Sequence, residues 1–303
     1  MTDASKGFLV ALGANLLWGL FPLYWALLSE VPPLEVFAHR TFWSLAIFAV
    51  YLGLQGRLPE LWRIFQNPAA RWRIIAAAFA ISGNWFLFIY AVQVGAVMEA
   101  SIGYYIFPLL AVKLGFVVFR ETLTPLQWGA VVLAASAVLL LTVGLGVAPY
   151  LSLALAMCFA LYGAFKRGVT AGPVLSVTAE VAIVGPLSLV WLLGVHWLGW
   201  TDFTGRPGGF FGQDWGTSLL LVAGGLVTAV PLMMFSYAAK RIRYATIGLI
   251  QYVNPTIQFT LAVLVFGQVV TLWHMIALPM IWIGLVLYSA SSLHQDRLAR
   301  RVA

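Results

Sequence analysis

MEASIGYYIFPLLAVKLGFVVF, residues 98–119, is an apolar run whose only charges are Glu99 at its start and Lys113. Roughly 20 such residues, wound as a helix, cross about 30 Å of hydrocarbon. Outward from it the same pattern recurs, giving about ten runs broken by charge, Pro and Gly. They span 7–28, 34–54, 72–93, 98–119, 125–145, 149–169, 174–197, 217–239, 244–266 and 271–291. Typical breaks are Ser29–Glu30–Val31–Pro32–Pro33 and Lys240–Arg241–Ile242–Arg243. The loops are short, with no room for a soluble domain. A signal peptide is a poor reading of the first run, which is too long and lacks a clear cleavage site.

The composition agrees. Of 303 residues, 62% are apolar and 9% charged, against roughly 45–50% and about 25% in soluble domains. That excludes a soluble enzyme and a disordered chain. A net charge of +7 could suggest nucleic acid, but no basic block with interleaved polar residues is present, so that partner is rejected. One cysteine, Cys158, excludes a disulfide framework and a thiolate metal site. It reads as a small buried hydrophobe.

The basic residues orient the chain. With both termini inside, the interior segments hold Arg57, Arg63, Arg71, Arg73, Arg120, Lys166, Arg167, Lys240, Arg241 and Arg243, with Lys6, Arg297, Arg300 and Arg301 in the tails. The exterior loops hold Arg206 alone, beside Glu30, Asp202 and Asp214. This bias is the positive-inside pattern and predicts N-in, C-in.

A second stretch resembles the first. Ala100–Ser101–Ile102–Gly103, Pro108 and Arg120–Glu121–Thr122–Leu123–Thr124 match Ala245–Thr246–Ile247–Gly248, Pro255 and Gly267–Gln268–Val269–Val270–Thr271. Pro108 to Glu121 and Pro255 to Gln268 are each thirteen positions, although the Ala-Ser/Thr-Ile-Gly block lies two residues nearer its proline in the first copy. Trp18–Gly19 echoes Tyr162–Gly163. Chance likeness between apolar runs is the rival explanation, and the matching Pro and Gly weigh against it. The expected architecture is an all-α integral membrane protein of ten transmembrane helices. Two inverted five-helix repeats, 1–146 and 147–303, surround a central cavity. Inverted repeats are a transporter plan, with the substrate site near the midplane.

Polar groups inside spans are costly and usually face a cavity or the bundle interior. Arg40 lies about two turns inside the second span. It reads either as an ion pair with Glu35 or Glu99, or as an anchor for a substrate carboxylate. Glu180 reads as a partner of Lys166 or of helix ends, or as a proton carrier or gate. Glu99 and Lys166 lie near span ends and can reach the interface. His39 reads as a structural histidine or a titrating one; Lys113 joins the gate and ion-pair candidates. Trp18, Asn84, Trp85, Tyr104, Tyr105, Phe107, Tyr162, Gln251 and Tyr252 are the substrate-binding candidates beside Arg40. Their rings and polar tips at depth suit a small-molecule cavity, with ordinary helix packing as the alternative. Pro22, Pro108, Pro231 and Pro255 are hinge candidates, because proline removes a helix hydrogen bond. Pro108 and Pro255 are the foremost of these.

No Gly-x-x-x-x-Gly-Lys-Ser/Thr loop, His-Glu-x-x-His or Gly-x-Ser-x-Gly motif is present, so the chain carries no nucleotide motor, zinc-protease motif or nucleophile elbow of its own. No cofactor or metal is expected, and the sequence points to no obligate protein partner. An integral-membrane lipid enzyme would need a clustered acid, base or metal set near one interface, which the sequence does not offer.

The motifs together resemble the RarD type of the EamA family, in the drug/metabolite transporter superfamily. They are Trp18–Gly19–Leu20–Phe21–Pro22–Leu23–Tyr24, His39–Arg40 with Trp43–Ser44, Asn84–Trp85, Glu99–Ala100–Ser101–Ile102–Gly103–Tyr104, and Arg120–Glu121 with Gln127–Trp128. Tyr162–Gly163, Thr228–Ala229–Val230–Pro231–Leu232, Gln251–Tyr252 and Pro255–Thr256 complete the match, which runs nearly end to end. The resemblance implies a plasma-membrane (bacterial inner-membrane) secondary transporter exporting small metabolites, foremost aromatic and other apolar amino acids as in YddG-type relatives. Drugs or purine-like metabolites are the alternative cargo. It also implies that Asn84 or Trp85, Tyr105, Phe107 and Tyr162 line the cavity. One departure stands out: family repeats commonly carry Glu after the Pro-bearing span. Glu121 keeps it and Gln268 does not, which argues against symmetric acidic ends.

Overall fold

Apolar runs of this length leave the backbone no partner in lipid but itself, so they close into helices. The computed structural model describes residues 3–120, 123–146, 149–166, 169–239, 241 and 250–302, and all regular structure among them is helical. The helices are α1 (Asp3–Gly19), α2 (Phe21–Ala26), α3 (Pro33–Leu54), α4 (Leu58–Gln66), α5 (Pro68–Gln93), α6 (Val97–Phe119) and α7 (Pro125–Leu145). There follow α8 (Tyr150–Lys166), α9 (Pro173–Leu198), α10 (Trp215–Ala239), α11 (Val253–Leu264) and α12 (Leu272–Val302). Among the described residues seven helices are long and apolar enough to cross a membrane, the first counted across the α1–α2 break. Tyr150–Lys166, Val253–Leu264 and Leu272–Tyr288 are shorter apolar helices.

Three differences from the expected spans have local causes. The first run breaks at Leu20, and Pro22 falls in the first turn of α2, where its missing N–H costs nothing. In the ninth run Ile250 is helical, Gln251 and Tyr252 form a turn, and a new helix starts at Val253 with Pro255 in its first turn. Pro255 thus follows a break in the helical run, whereas Pro108 and Pro231 lie inside continuous helices. The connection after α3 contains the helix α4, where loop was expected. Its Arg57 and Glu60 pair at 2.9 Å and its Trp62 is exposed, as in helices that lie at an interface. Glu121, Arg167, Lys240, Arg243 and the Ala245–Gly248 motif lie outside the described residues.

The two halves of the chain interleave. The principal packing pairs are α6 with α8, α5 with α8, α3 with α9, α3 with α10, α1 with α10, α6 with α11, α1 with α11, α5 with α9 and α7 with α12. Each joins a helix of residues 1–146 to one of residues 147–303. Replace every span by the one five later, and the same set of pairs returns: α6–α8 becomes α11–α1, and α5–α9 becomes α10–α3. Close crossings use glycine, as expected where helices approach in lipid. A Cβ on Gly225 would come within 2.7 Å of the Trp43 backbone, and one on Gly103 within 2.7 Å of the Ser152 carbonyl. The main apolar core draws Trp25, Phe88, Ile102 and Tyr105 from one half and Leu155, Val184, Leu221 and Ile281 from the other.

Candidate functional site: two buried charges joined by rings

Arg40 and Glu180 hold the same register. Helix α3 begins at Pro33 and α9 at Pro173, and each charge stands seven positions later. At about 1.5 Å per residue that is roughly 10 Å into each helix. The N-terminus of α3 packs against the 199–214 segment, which follows the C-terminus of α9. The two charges are thus set in from opposite ends of the bundle.

The Arg40 guanidinium is buried, 4% exposed. Its Nε donates to Thr228 Oγ1 at 2.7 Å, and its carbon lies 4.1 Å from the Trp85 ring centre and 5.5 Å from that of Trp25. Neither carboxylate expected beside it is there. Glu35 accepts the backbone N–H groups of Gly209 and Phe210, each at 2.9 Å. Glu99 is exposed at a hollow of about 230 Å³ with Leu141, Tyr150, Ser152 and His274. No carboxylate lies within 4.0 Å of Arg40 among the described residues, which corrects the ion-pair reading.

A file of rings leads away from Arg40. Asn84, buried on α5, donates to the Leu155 carbonyl and accepts from the Tyr104 hydroxyl, each at 3.0 Å. The Tyr104 ring meets Phe159 at 6.0 Å, Phe107 meets Phe159 at 4.6 Å, and Phe159 stacks on Tyr162 at 5.9 Å. Lys166 closes the row: its Nζ is 2.5 Å from Glu180 Oε1, bonds the Ser176 hydroxyl and lies 5.2 Å from the Tyr162 ring centre.

Eight predicted residues therefore fall into two contact sets that meet at the adjacent residues Asn84 and Trp85: Arg40 with Trp85, and Asn84, Tyr104, Phe107, Tyr162, Lys166 and Glu180, joined through Phe159. Others lie apart. Tyr105 points to α11 and α12, bonding Thr256 at 2.7 Å and touching the Trp282 ring. Trp18 meets Phe235 at 5.6 Å. Gln251 and Tyr252 stand in the turn before α11, with Tyr252 at a hollow of about 270 Å³ beside Val253, Thr256 and Ile257. Lys113 is exposed on α6, with no ion pair among the described residues. Trp25, Phe159 and Ser176 were missed. Phe159 had a signal, since it precedes Tyr162 by three positions and helical neighbours at that spacing share a face.

Residues 199–214 cover the bundle end nearer Arg40. Beyond the bonds to Glu35, Phe211 lies 5.0 Å from the His39 ring, and Phe203 meets Phe86 and Tyr90. Arg206 donates to the Ser29 carbonyl at 2.8 Å and to Gln93 Oε1 at 2.7 Å. Gln268, the departure from the expected Glu, has a physical reason. Its carbonyl accepts the Met98 N–H at 2.8 Å while its amide donates to the Gly95 carbonyl at 2.6 Å; an ionised Glu has no proton to donate.

Comparison with known proteins agrees with this architecture. Residues 5–143 match the model of the EamA-like transporter family. "Protein RarD" of Streptomyces exfoliatus is 38% identical over 298 residues, covering 98% of this chain and 92% of the relative. An "Uncharacterized transporter" of Vibrio cholerae is 36% identical over 299 residues, covering 99% and 97%. A solved structure, titled only as the crystal structure of a protein, superposes with a TM-score of 0.57 at 19% identity, covering 94% of this chain and 97% of its own; it shares the fold. With its apolar helices and full-length relatives, this multi-pass inner-membrane protein belongs to the EamA-like transporter family as a RarD-type member.

Proposed function

We propose that the chain is a secondary exporter of small zwitterionic metabolites, foremost aromatic and other apolar amino acids, working by alternating access. In this reading ten spans form two inverted halves, 1–146 and 147–303, with both termini in the cytoplasm. The return of the same helix pairs on exchanging halves supports the inversion. The 199–214 segment then closes the outer end, and Lys166 stands at the inner end.

The observation that carries the cargo reading is Arg40. A buried cation without a counter-ion is costly, and this one holds two aromatic faces and one hydroxyl but no carboxylate among the described residues. A substrate carboxylate supplies the missing charge, and the rings from Trp85 to Tyr162 receive an apolar side chain. Transport needs comparable affinity in both end states, since a ligand favouring one would trap it. The same rings also suit planar purine-like molecules, and competition separates the two cargoes. The test is flux in proteoliposomes: labelled phenylalanine or leucine should move above empty vesicles and be competed by other amino acids. No flux across a broad amino-acid panel, or competition by purines alone, sinks the amino-acid reading.

A further inference from the structure

The Lys166 ammonium occupies a complete ammonium site. The Glu180 carboxylate meets it at 2.5 Å, the Ser176 hydroxyl accepts from it, and the Tyr162 ring centre is 5.2 Å from its nitrogen. A carboxylate and an aromatic face around one cation are how aromatic-lined sites recognise ammonium groups. The two partners differ in depth: the Glu180 side chain is 1% exposed and that of Lys166 is 23% exposed. The carboxylate is fixed in the interior, whereas its cation reaches in from the rim on a flexible four-carbon stem. The second carboxylate oxygen, Oε2, is buried with no hydrogen-bond partner among the described residues. Structural economy explains this poorly, because an apolar pair often serves a buried site as well as an ion pair does.

We propose that Glu180, Ser176 and Tyr162 form a binding site for the ammonium group of the substrate, and that Lys166 is its tethered occupant, displaced when a primary-ammonium ligand arrives. This rests on, and deepens, the reading of Arg40 as carboxylate anchor: an α-amino acid carries both charges on one carbon, so it meets the two poles in succession, its carboxylate at Arg40 and its ammonium at Glu180, and never both at once. Exchange of one ammonium for another keeps the Glu180 charge compensated throughout, so the only groups that move are the ligand and the Lys166 stem. The displaced stem swings to the rim, and ligand binding is thereby coupled to clearing that end of the path.

The poles are separable with half-molecules. Phenethylammonium carries the ring and the ammonium; phenylacetate carries the ring and the carboxylate. Both are titrated into the full chain in nanodiscs by calorimetry. In the unaltered chain phenethylammonium should bind at least fivefold more tightly than its neutral counterpart, phenethyl alcohol. Lys166→Met should tighten phenethylammonium at least tenfold and leave phenylacetate unchanged. The double variant Lys166→Met/Glu180→Gln should lose that gain. Equal binding of phenethylammonium and phenethyl alcohol overturns the proposal without use of any variant. So does a folded Lys166→Met with no gain, or a gain that survives Glu180→Gln. Absence of phenylacetate binding, with the phenethylammonium pattern intact, overturns the Arg40 reading instead and leaves the ammonium site standing.

Discussion

Arg40 and Glu180 stand at one register in two helices related by the exchange of halves, yet their surroundings differ in kind. Glu180 has a counter-ion from its own chain, Lys166, on the neighbouring helix. Arg40 has ring faces and a hydroxyl, and the carboxylate nearest along its own helix, Glu35, is committed to the 199–214 segment. The contrast separates a pole with a counter-ion on a neighbouring helix from one with no carboxylate within 4.0 Å among the described residues, the pole to which the proposed function assigns the substrate carboxylate.

Substitutions can break this contrast or sharpen it. The largest effect is expected from Arg40→Ala. Truncating a buried charge that pairs with a ligand costs about 2–5 kcal/mol, so amino-acid flux in proteoliposomes should fall about 100-fold while the protein stays folded; unchanged flux would dissolve the contrast. Glu180→Gln leaves Lys166 without its carboxylate. Because the Lys166 side chain is partly exposed and can swing out, the loss of stability should be roughly 1–2 kcal/mol, below the 3–5 of a fully buried pair, read as a lower midpoint in thermal unfolding. Glu35→Gln weakens two charge-assisted bonds, each worth about 1.5–3 kcal/mol, but retains one carbonyl acceptor. Faster amide exchange at Gly209 and Phe210 with Arg40-dependent binding preserved is the expected result; slow exchange would mean that Glu35 does not hold the segment. The smallest effect belongs to Gln268→Glu, which forfeits one neutral hydrogen bond to Gly95, about 0.5–1.5 kcal/mol, seen as a slight fall in melting midpoint without loss of transport.

The seven long apolar helices were legible because a membrane demands one thing of sequence, a run of apolar residues of a given length. What escaped had other causes. Helix α4 is too short and too polar for that criterion, and its amphipathic pattern is the only signal it carries. The break at Leu20 has Pro22 beside it, but a proline alone does not reveal whether it bends a helix or starts one. In the site, Arg40, Asn84 and Glu180 declared themselves as polar groups where polarity is costly. Trp25 and Phe159 did not, since they are two aromatics among many in a chain with 15% of them. Tyr104 and Tyr105 are chemically alike neighbours, and about 100° of helical rotation sends one toward Arg40 and the other toward Thr256. Which goes where depends on how α6 is turned, and only its partners α8 and α11 fix that. The Glu35 bonds to Gly209 and Phe210 span 174 and 175 positions, and no local pattern announces contacts of that range.

The interleaving of the halves also governs how the protein is made. The principal partners of α1, α3, α5 and α6 all come from the second half. Helices made first, α1 to α7, therefore lack those partners until the later helices are made. Completion of the fold waits for the later helices, and a chain cut near residue 146 is expected to be degraded or to aggregate, which its yield in membranes against that of the full chain checks. Two halves produced together are expected to assemble, and co-purification of one half with the other checks it.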